Sequence, residues 1–222
     1  KNEVYLIVET DKGVARELSD FFTFEVPGAK FMPQYRNRMW DGKIRLYSLQ
    51  TGEIYFGLLP YIEEFAKRNE IEIEYEENVN GQQELGDGEL DIFVGRVSPQ
   101  SKGKTLEIRD YQMAAFTHAV RTNRSLLLSP TASGKSLIIY LLAVWYAMKT
   151  EKNVLILVPT TSLVEQMYTD FVDYGFKESM MQKIYQGYSK NITKPVTIST
   201  WQSIYKMPKK WFEQFGCVLG DE

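Results

Sequence analysis

The stretch Ser125-Leu126-Leu127-Leu128-Ser129-Pro130-Thr131-Ala132-Ser133-Gly134-Lys135-Ser136, running straight into Leu137-Ile138-Ile139-Tyr140-Leu141-Leu142-Ala143, leaves a chain few choices. It reads as a short buried strand, a tight loop ending in Gly-Lys-Ser, and an apolar helix, the order of a phosphate-binding loop. Gly134 lets the backbone approach an anion closely, and the amides that open the helix point at it with the helix dipole behind them. In such a loop Lys135 reaches the β and γ phosphates and the Ser136 hydroxyl ligates magnesium. One position departs from the pattern, because residue 129 is Ser where Gly is asked for. A strand, a polar turn and a core helix with a merely solvated Lys135 would use the same letters, although both flanking elements stand where a phosphate site needs them.

A loop that holds a triphosphate needs a strand-end acid to position magnesium and a second group to orient the attacking water. Cys217-Val218-Leu219-Gly220-Asp221-Glu222 offers both, as an apolar strand ending in Asp221 and Glu222; the alternative is two solvated carboxylates. A helix starts near Asp110, ahead of the loop. Beyond the loop helix, Val154 to Val158 is a continuous apolar strand, and Thr161 or Ser162 caps a helix running through Phe171. Lys183 to Tyr185 and Val196 to Ser199 are further strands, and Pro208 opens a short helix. Strands alternating with helices predict a parallel α/β sheet.

The first part of the chain has a different texture. Residues 1–100 carry 11 basic and 19 acidic side chains, against 15 and 10 in residues 101–222. That asymmetry predicts two domains, the second being the better partner for a polyanion. Val4 to Val8 reads as a strand, Val14 to Phe22 as a helix, Lys43 to Tyr47 and Ile54 to Leu58 as strands around a turn at Thr51-Gly52, Pro60 to Arg68 as a helix and Ile71 to Tyr75 as a strand. Residues 76–88 are acidic, Gly-rich and poor in apolar side chains, hence a connector, and Leu90 to Val97 reads as a short strand or extended segment. The predicted organisation is a small α+β domain over residues 1–98 and an α/β domain over residues 99–222.

Within the first domain, Lys30, Arg36, Arg38, Lys43 and Arg45 are interleaved with Phe31, Tyr35, Trp40 and Tyr47. Cations for phosphates among flat rings for bases make a nucleic-acid surface. A twisted sheet with aromatic core residues and solvated charges makes the same pattern. Lys206, Lys209 and Lys210 around Pro208 either extend such a track or are solvated lysines beside a turn. The one histidine, His118, has no Cys or acidic cluster around it in sequence and reads as a packing or surface residue, while Met180-Met181 and Trp145-Tyr146 read as core.

With 44% hydrophobic residues the chain can bury a sizeable core, and its single Cys217 excludes an internal disulfide and fits a reducing compartment. No run of 18 apolar residues and no signal-peptide pattern is visible, which predicts a soluble protein of the cytoplasm, or of the host-cell cytoplasm if a phage encodes it.

Ile108-Arg109-Asp110-Tyr111-Gln112, Pro130 to Ser136, Val158-Pro159-Thr160-Thr161-Ser162-Leu163-Val164-Glu165-Gln166-Met167, Ile198-Ser199-Thr200-Trp201-Gln202 and Asp221-Glu222 resemble, in order and spacing, the successive motifs of superfamily 2 helicases. Ala132 stands where that family has the first Gly of its Pro-Thr-Gly-x-Gly-Lys pattern. The resemblance implies a RecA-like lobe with helices on both faces of a parallel sheet, ATP and Mg2+ as cofactors, and Thr131, Ala132, Ser133, Gly134, Lys135 and Ser136 around the phosphates. Ser136 and Asp221 would hold the metal, and Lys135, Asp221 and Glu222 would be catalytic. It further implies that Gln112 reads the adenine edge, with Arg109 and Tyr111 shaping the pocket. Pro159, Thr160, Thr161 and Thr200 would touch nucleic-acid phosphates, a grip without sequence preference.

Phe21 to Glu25, Phe31 to Leu46, Asp170 to Tyr174 and Trp211 to Gly216 extend the resemblance to the recombination and repair helicases of tailed phages, over nearly the whole chain. Such enzymes are ATP-driven motors that remodel branched DNA, with the first domain aiding substrate binding through residues such as Arg36, Arg38, Lys43 and Arg45. They close ATP between two RecA-like lobes, and the second lobe, which supplies arginine fingers, lies beyond Glu222. The same motor attached to a nuclease or restriction system, and a non-catalytic DNA-binding module, are the alternatives.

Overall fold

The structure is a computed structural model describing residues 4–76, 85–86, 88–130 and 132–221. The chain divides into two compact units, residues 1–80 and 81–222.

The first unit is built from two small antiparallel pairs and two longer helices. Strands β1 (Tyr5–Ile7) and β4 (Glu53–Tyr55) pair with Leu6 opposite Ile54. Between them in sequence come helix α1 (Lys12–Phe21), strand β2 (Thr23–Glu25), the single turn α2 (Pro33–Arg36) and strand β3 (Lys43–Arg45), with Phe24 opposite Ile44 across β2 and β3. Helix α3 (Leu59–Arg68) follows. Asp11 starts α1, its carboxylate accepting from the amides of Gly13 at 2.7 Å and Val14 at 3.1 Å. A cap of this kind contributes about 1 kcal/mol. Leu6, Leu18, Phe22, Tyr47, Ile54, Ile62 and Phe65 close the core. Residues 71–76 are not the expected strand: they carry no ladder partner among the described residues, and Ile71 and Ile73 simply pack on that core while the intervening glutamates face water.

The second unit begins earlier than the residue-98 boundary read from composition, because the segment expected as a strand is helix α4 (Glu89–Val97). Leu90, Phe93, Val94 and Val97 recur at helical spacing and pack into this unit's main core. A two-residue hairpin, β5 (Gln100–Ser101) and β6 (Lys104–Thr105), leads to helices α5 (Asp110–Thr122) and α6 (Lys135–Lys149). Then come β7 (Asn153–Val158), α7 (Thr161–Asp173), β8 (Met181–Ile184), β9 (Val196–Thr200), the short helices α8 (Trp201–Ile204) and α9 (Lys209–Phe212), and β10 (Phe215–Gly220). The four strands of this sheet are parallel in the order β10-β7-β9-β8.

Side chains alternate across this sheet. Val154, Ile156 and Val158 of β7 join the core formed with α5, α6 and α7, whereas Leu155 and Leu157 pack with Ile204, Trp211 and Phe215. Since successive strand residues point to opposite faces, the two clusters lie on opposite sides of one sheet, which is therefore covered on both faces as a RecA-like α/β lobe requires. Trp145 and Tyr146 are core as expected; of the Met180-Met181 pair only Met181 is buried.

One expectation fails. Residues 125–130 form no strand or helix, and Leu126 and Leu128 are 85% and 91% exposed. Residues 125–130 pair with no strand among the described residues, although β10 is bonded there on its β7 side alone, so apolar letters by themselves do not form a ladder.

Candidate nucleotide site and nucleic-acid surfaces

Chain direction brings the phosphate-loop residues to one edge of the sheet. Helix α6 has 15 residues and β7 has six, so each is about 20 Å long at 1.5 and 3.3 Å per residue. Joined by a short turn and packed on one another, they run antiparallel, and the start of α6 comes level with the end of β7. Asp221 is at that same edge, its amide donating to the Leu157 carbonyl at 2.9 Å directly after β10. Lys135 and Asp221, the two ends of the expected constellation, thus share the edge where parallel sheets bind ligands.

The loop is shaped for an anion. Ala132 and Gly134 are left-handed at φ 63° and 81°, and α6 begins with no side-chain cap among the described residues. Lys135 pairs with no described carboxylate. A Cβ on residue 134 would stand 2.4 Å from Gln112 Nε2, so glycine is demanded twice, by its φ and by this neighbour. Ser129, the departure from the pattern, hydrogen-bonds through its hydroxyl to that of Ser133 and so ties the two ends of the loop. These features fit a nucleotide phosphate. Thr131 and Glu222 lie outside the described residues.

Helix α5 holds the loop from behind. The buried Gln112 carboxamide accepts from the Arg109 amide at 3.0 Å and donates to the Ser133 carbonyl at 2.9 Å. Tyr111 also donates to the Ser133 carbonyl, and its hydroxyl accepts from Arg109 Nη1, both at 2.9 Å. As placed, Gln112 couples α5 to the loop and retains one N–H and one lone pair for a further partner. The structure thus brings Arg109, Tyr111, Gln112, Ser133 and Gly134 into one cluster.

Ser136 points toward α7. Burial raises the Asp170 carboxyl above its ordinary range, the Ser136 hydroxyl offsets this by hydrogen-bonding the charged form, and Asp173 adds to it. Tyr174, likewise raised by burial, adjoins the same hydroxyl. Asp170 was not singled out as a site residue; the available signal was its place one turn before Tyr174 on a helix that follows the Thr160 segment.

The expected nucleic-acid residues separate into groups. Thr160, rather than Thr161 or Ser162, caps α7, its hydroxyl accepting from the Leu163 amide at 3.3 Å. Pro159, Thr160 and Thr161 are exposed at the sheet edge. Thr200 is 3% exposed and its hydroxyl bonds that of Ser203 at 2.8 Å, so this side chain is spent on local structure. In the first unit, Arg36 and Arg38 line an open concavity of about 660 Å³ with Lys30, Tyr35, Met39, Trp40 and Asp41. Arg45 instead pairs with Asp41, holding that carboxyl below its usual range, and Lys43 Nζ lies 4.0 Å from Glu25. The Trp40 indole donates to the Lys43 carbonyl at 2.8 Å, and Tyr47 is core. Among the described residues no cluster of His, Cys, Asp and Glu could hold a metal, and no helix is long and apolar enough to cross a membrane.

The chain is 37% identical over 220 residues to the ATP-dependent DNA helicase uvsW of Enterobacteria phage T4, covering 97% of this chain and 44% of that protein. It therefore spans under half the length of that curated relative. The crystal structure of the UvsW helicase from bacteriophage T4 superposes with a TM-score of 0.90 at 36% identity, covering all of this chain and 80% of that one. A second T4 UvsW crystal structure gives 0.92 at 36% identity, covering all of this chain and 46% of that one. Residues 2–76 match the family described as DNA helicase UvsW, N-terminal. The match of residues 105–222 takes in just over half of the chain, which accordingly belongs to the family described as type III restriction enzyme, res subunit.

Proposed function

We propose that the chain is the N-terminal part of an ATP-dependent DNA helicase that remodels branched DNA, such as junctions, stalled forks and displacement loops, in recombination, repair and replication. What supports this reading is that the start of α6, with Lys135, comes level with the end of β7, where the Asp221 amide bonds the Leu157 carbonyl. Lys135 and the loop amides would hold the β and γ phosphates, Ser136 and Asp221 a magnesium ion, and Glu222 a water. ATP with magnesium supplies the transferable phosphoryl group. Arg109, Tyr111 and Gln112 would form the base pocket, a role for which the remaining valences of the Gln112 carboxamide are available.

Pro159, Thr160 and Thr161 would grip phosphates beside this site. Arg36 and Arg38, which have no carboxylate partner among the described residues, would hold DNA on the first unit. A second RecA-like lobe in the full-length protein would add arginine fingers, without which turnover falls by about three to five orders of magnitude. The cytoplasm, that of the host cell for a phage protein, is the compartment this activity needs.

In the full-length protein, Lys135→Ala should abolish ATP turnover while leaving DNA affinity intact. Arg36→Ala with Arg38→Ala should weaken DNA binding and lower the slope of log affinity against log salt by up to about 2. Unchanged turnover in the first variant would refute the nucleotide reading. The family match also supports a second reading, the same motor serving a restriction system; ATP-dependent cleavage of duplex DNA by the full-length protein would favour it.

A further inference from the structure

Helices α8 and α9 are pinned to the sheet by one set of residues and present another to solvent. Ile204 is fully buried, Trp211 is 7% exposed, and the Trp211 indole donates to the Lys190 carbonyl at 2.7 Å. On the outer side Trp201 is 56% and Tyr205 51% exposed. The Trp201 ring centroid lies 6.5 Å from that of Tyr205 and 6.4 Å from that of Phe212, at interplanar angles of 41° and 38°. Lys206 Nζ is 5.5 Å from the Tyr205 centroid. Lys206, Lys209 and Lys210 are all exposed, and none has a carboxylate partner among the described residues. Glu213 is the only acid between Thr200 and Gln214.

Single exposed aromatics need no explanation, but two neighbouring exposed rings backed by the half-buried Phe212, with three cations on the same mount that have no carboxylate partner among the described residues, are an unusual surface. The mount stands at the edge of the proposed DNA path, for Trp201 directly follows Thr200, which lies opposite Val158 at the end of β7. Flat faces with adjoining positive charge are complementary to unpaired bases and their phosphates, whereas a duplex keeps its base faces stacked away.

We infer that Trp201 and Tyr205 form a stacking platform for unpaired bases of DNA, with Lys206, Lys209 and Lys210 neutralising the adjoining phosphates. The inference deepens the helicase reading and rests on it. The platform gives the lobe a contact that distinguishes an opened strand from a closed duplex. Thr200 then acts by seating Trp201, and the stacking replaces the phosphate contact that its buried hydroxyl does not offer.

The test is the affinity of this chain for a fluorescein-labelled oligothymidylate and for a hairpin-closed duplex, by anisotropy. Trp201→Ala should weaken single-strand binding about ten-fold, the size of one lost base stack, and leave duplex binding unchanged. Trp201→Phe should keep affinity within about threefold while removing part of the tryptophan quenching that unlabelled oligothymidylate causes. Changing the three lysines to Ala should lower the single-strand salt slope by about 2. Wild-type affinity in Trp201→Ala, or undiminished quenching in Trp201→Phe, overturns the platform. If Arg36→Ala with Arg38→Ala weakens binding while Trp201→Ala does not, the platform alone falls. If the unaltered chain binds neither probe, the DNA reading falls with it.

Discussion

Replacing Gly134 by Ala tests the best-defined contact of the candidate site. The added Cβ would lie 2.4 Å from Gln112 Nε2, and a left-handed φ of 81° costs a non-glycine residue about 1–2 kcal/mol. The end of a glutamine side chain normally moves aside cheaply, but Gln112 is buried and anchored at both ends of its carboxamide. Swinging it away forfeits two hydrogen bonds of about 1 kcal/mol each. Gly134→Ala should therefore cost about 3–4 kcal/mol, and Gln112→Ala about 2 kcal/mol for the bonds alone. In the double variant the clash is gone and the bonds are lost only once, so its cost should also be about 3–4 kcal/mol, some 2 kcal/mol less than the sum of the singles. Urea unfolding of the chain and its three variants measures all four values, and the midpoint of the α/β unit is the relevant transition. Strict additivity, or a Gly134→Ala cost under about 1 kcal/mol, would refute the packing of α5 against the loop.

Ala132→Gly relieves a φ of 63° but enlarges the freedom of the unfolded chain, so the two effects of about 1 kcal/mol should nearly cancel, whereas Ala143→Gly in the buried middle of α6 should cost at least about 1 kcal/mol by urea unfolding. Asp170, raised above 3.8 chiefly by burial, binds protons more tightly folded than unfolded, so its contribution to stability falls as pH climbs through that interval and stays low above it. Asp170→Asn should accordingly raise the urea midpoint at pH 7 and flatten this acid-range dependence; a lowered midpoint would contradict the sign. Burial pushes the Cys217 thiol up to about 12, so iodoacetamide at pH 8 should alkylate the folded chain roughly a hundred-fold more slowly than the urea-unfolded one.

What could be read from sequence was local chemistry. Gly134-Lys135-Ser136 and the helix behind them depend on neighbours in the chain, and so does the continuous apolar run of β7. The errors came where distant partners decide. Leu126 to Leu128 carry strand letters, but forming a strand depends on a neighbour that no local pattern reveals. Leu90 to Val97 mixes β-branched residues with a glycine and reads as extended, yet its apolar positions also satisfy helical spacing, and packing against Phe116 and Trp145 selects the helix. Among the cations, Arg36, Arg38, Lys43 and Arg45 look equivalent in sequence, and only the fold reveals that Arg45 answers Asp41 while Lys43 approaches Glu25. Gln112 was legible as a site residue, but its tie to the Ser133 carbonyl, 21 residues away, was not.

Among the described residues the outer flank of β10 has no ladder partner, and Val218 on that strand is exposed. Such a flank is a template for another copy's edge. At high concentration this polypeptide will cloud by intermolecular strand addition while its helices are still folded, so turbidity will climb before the ellipticity changes.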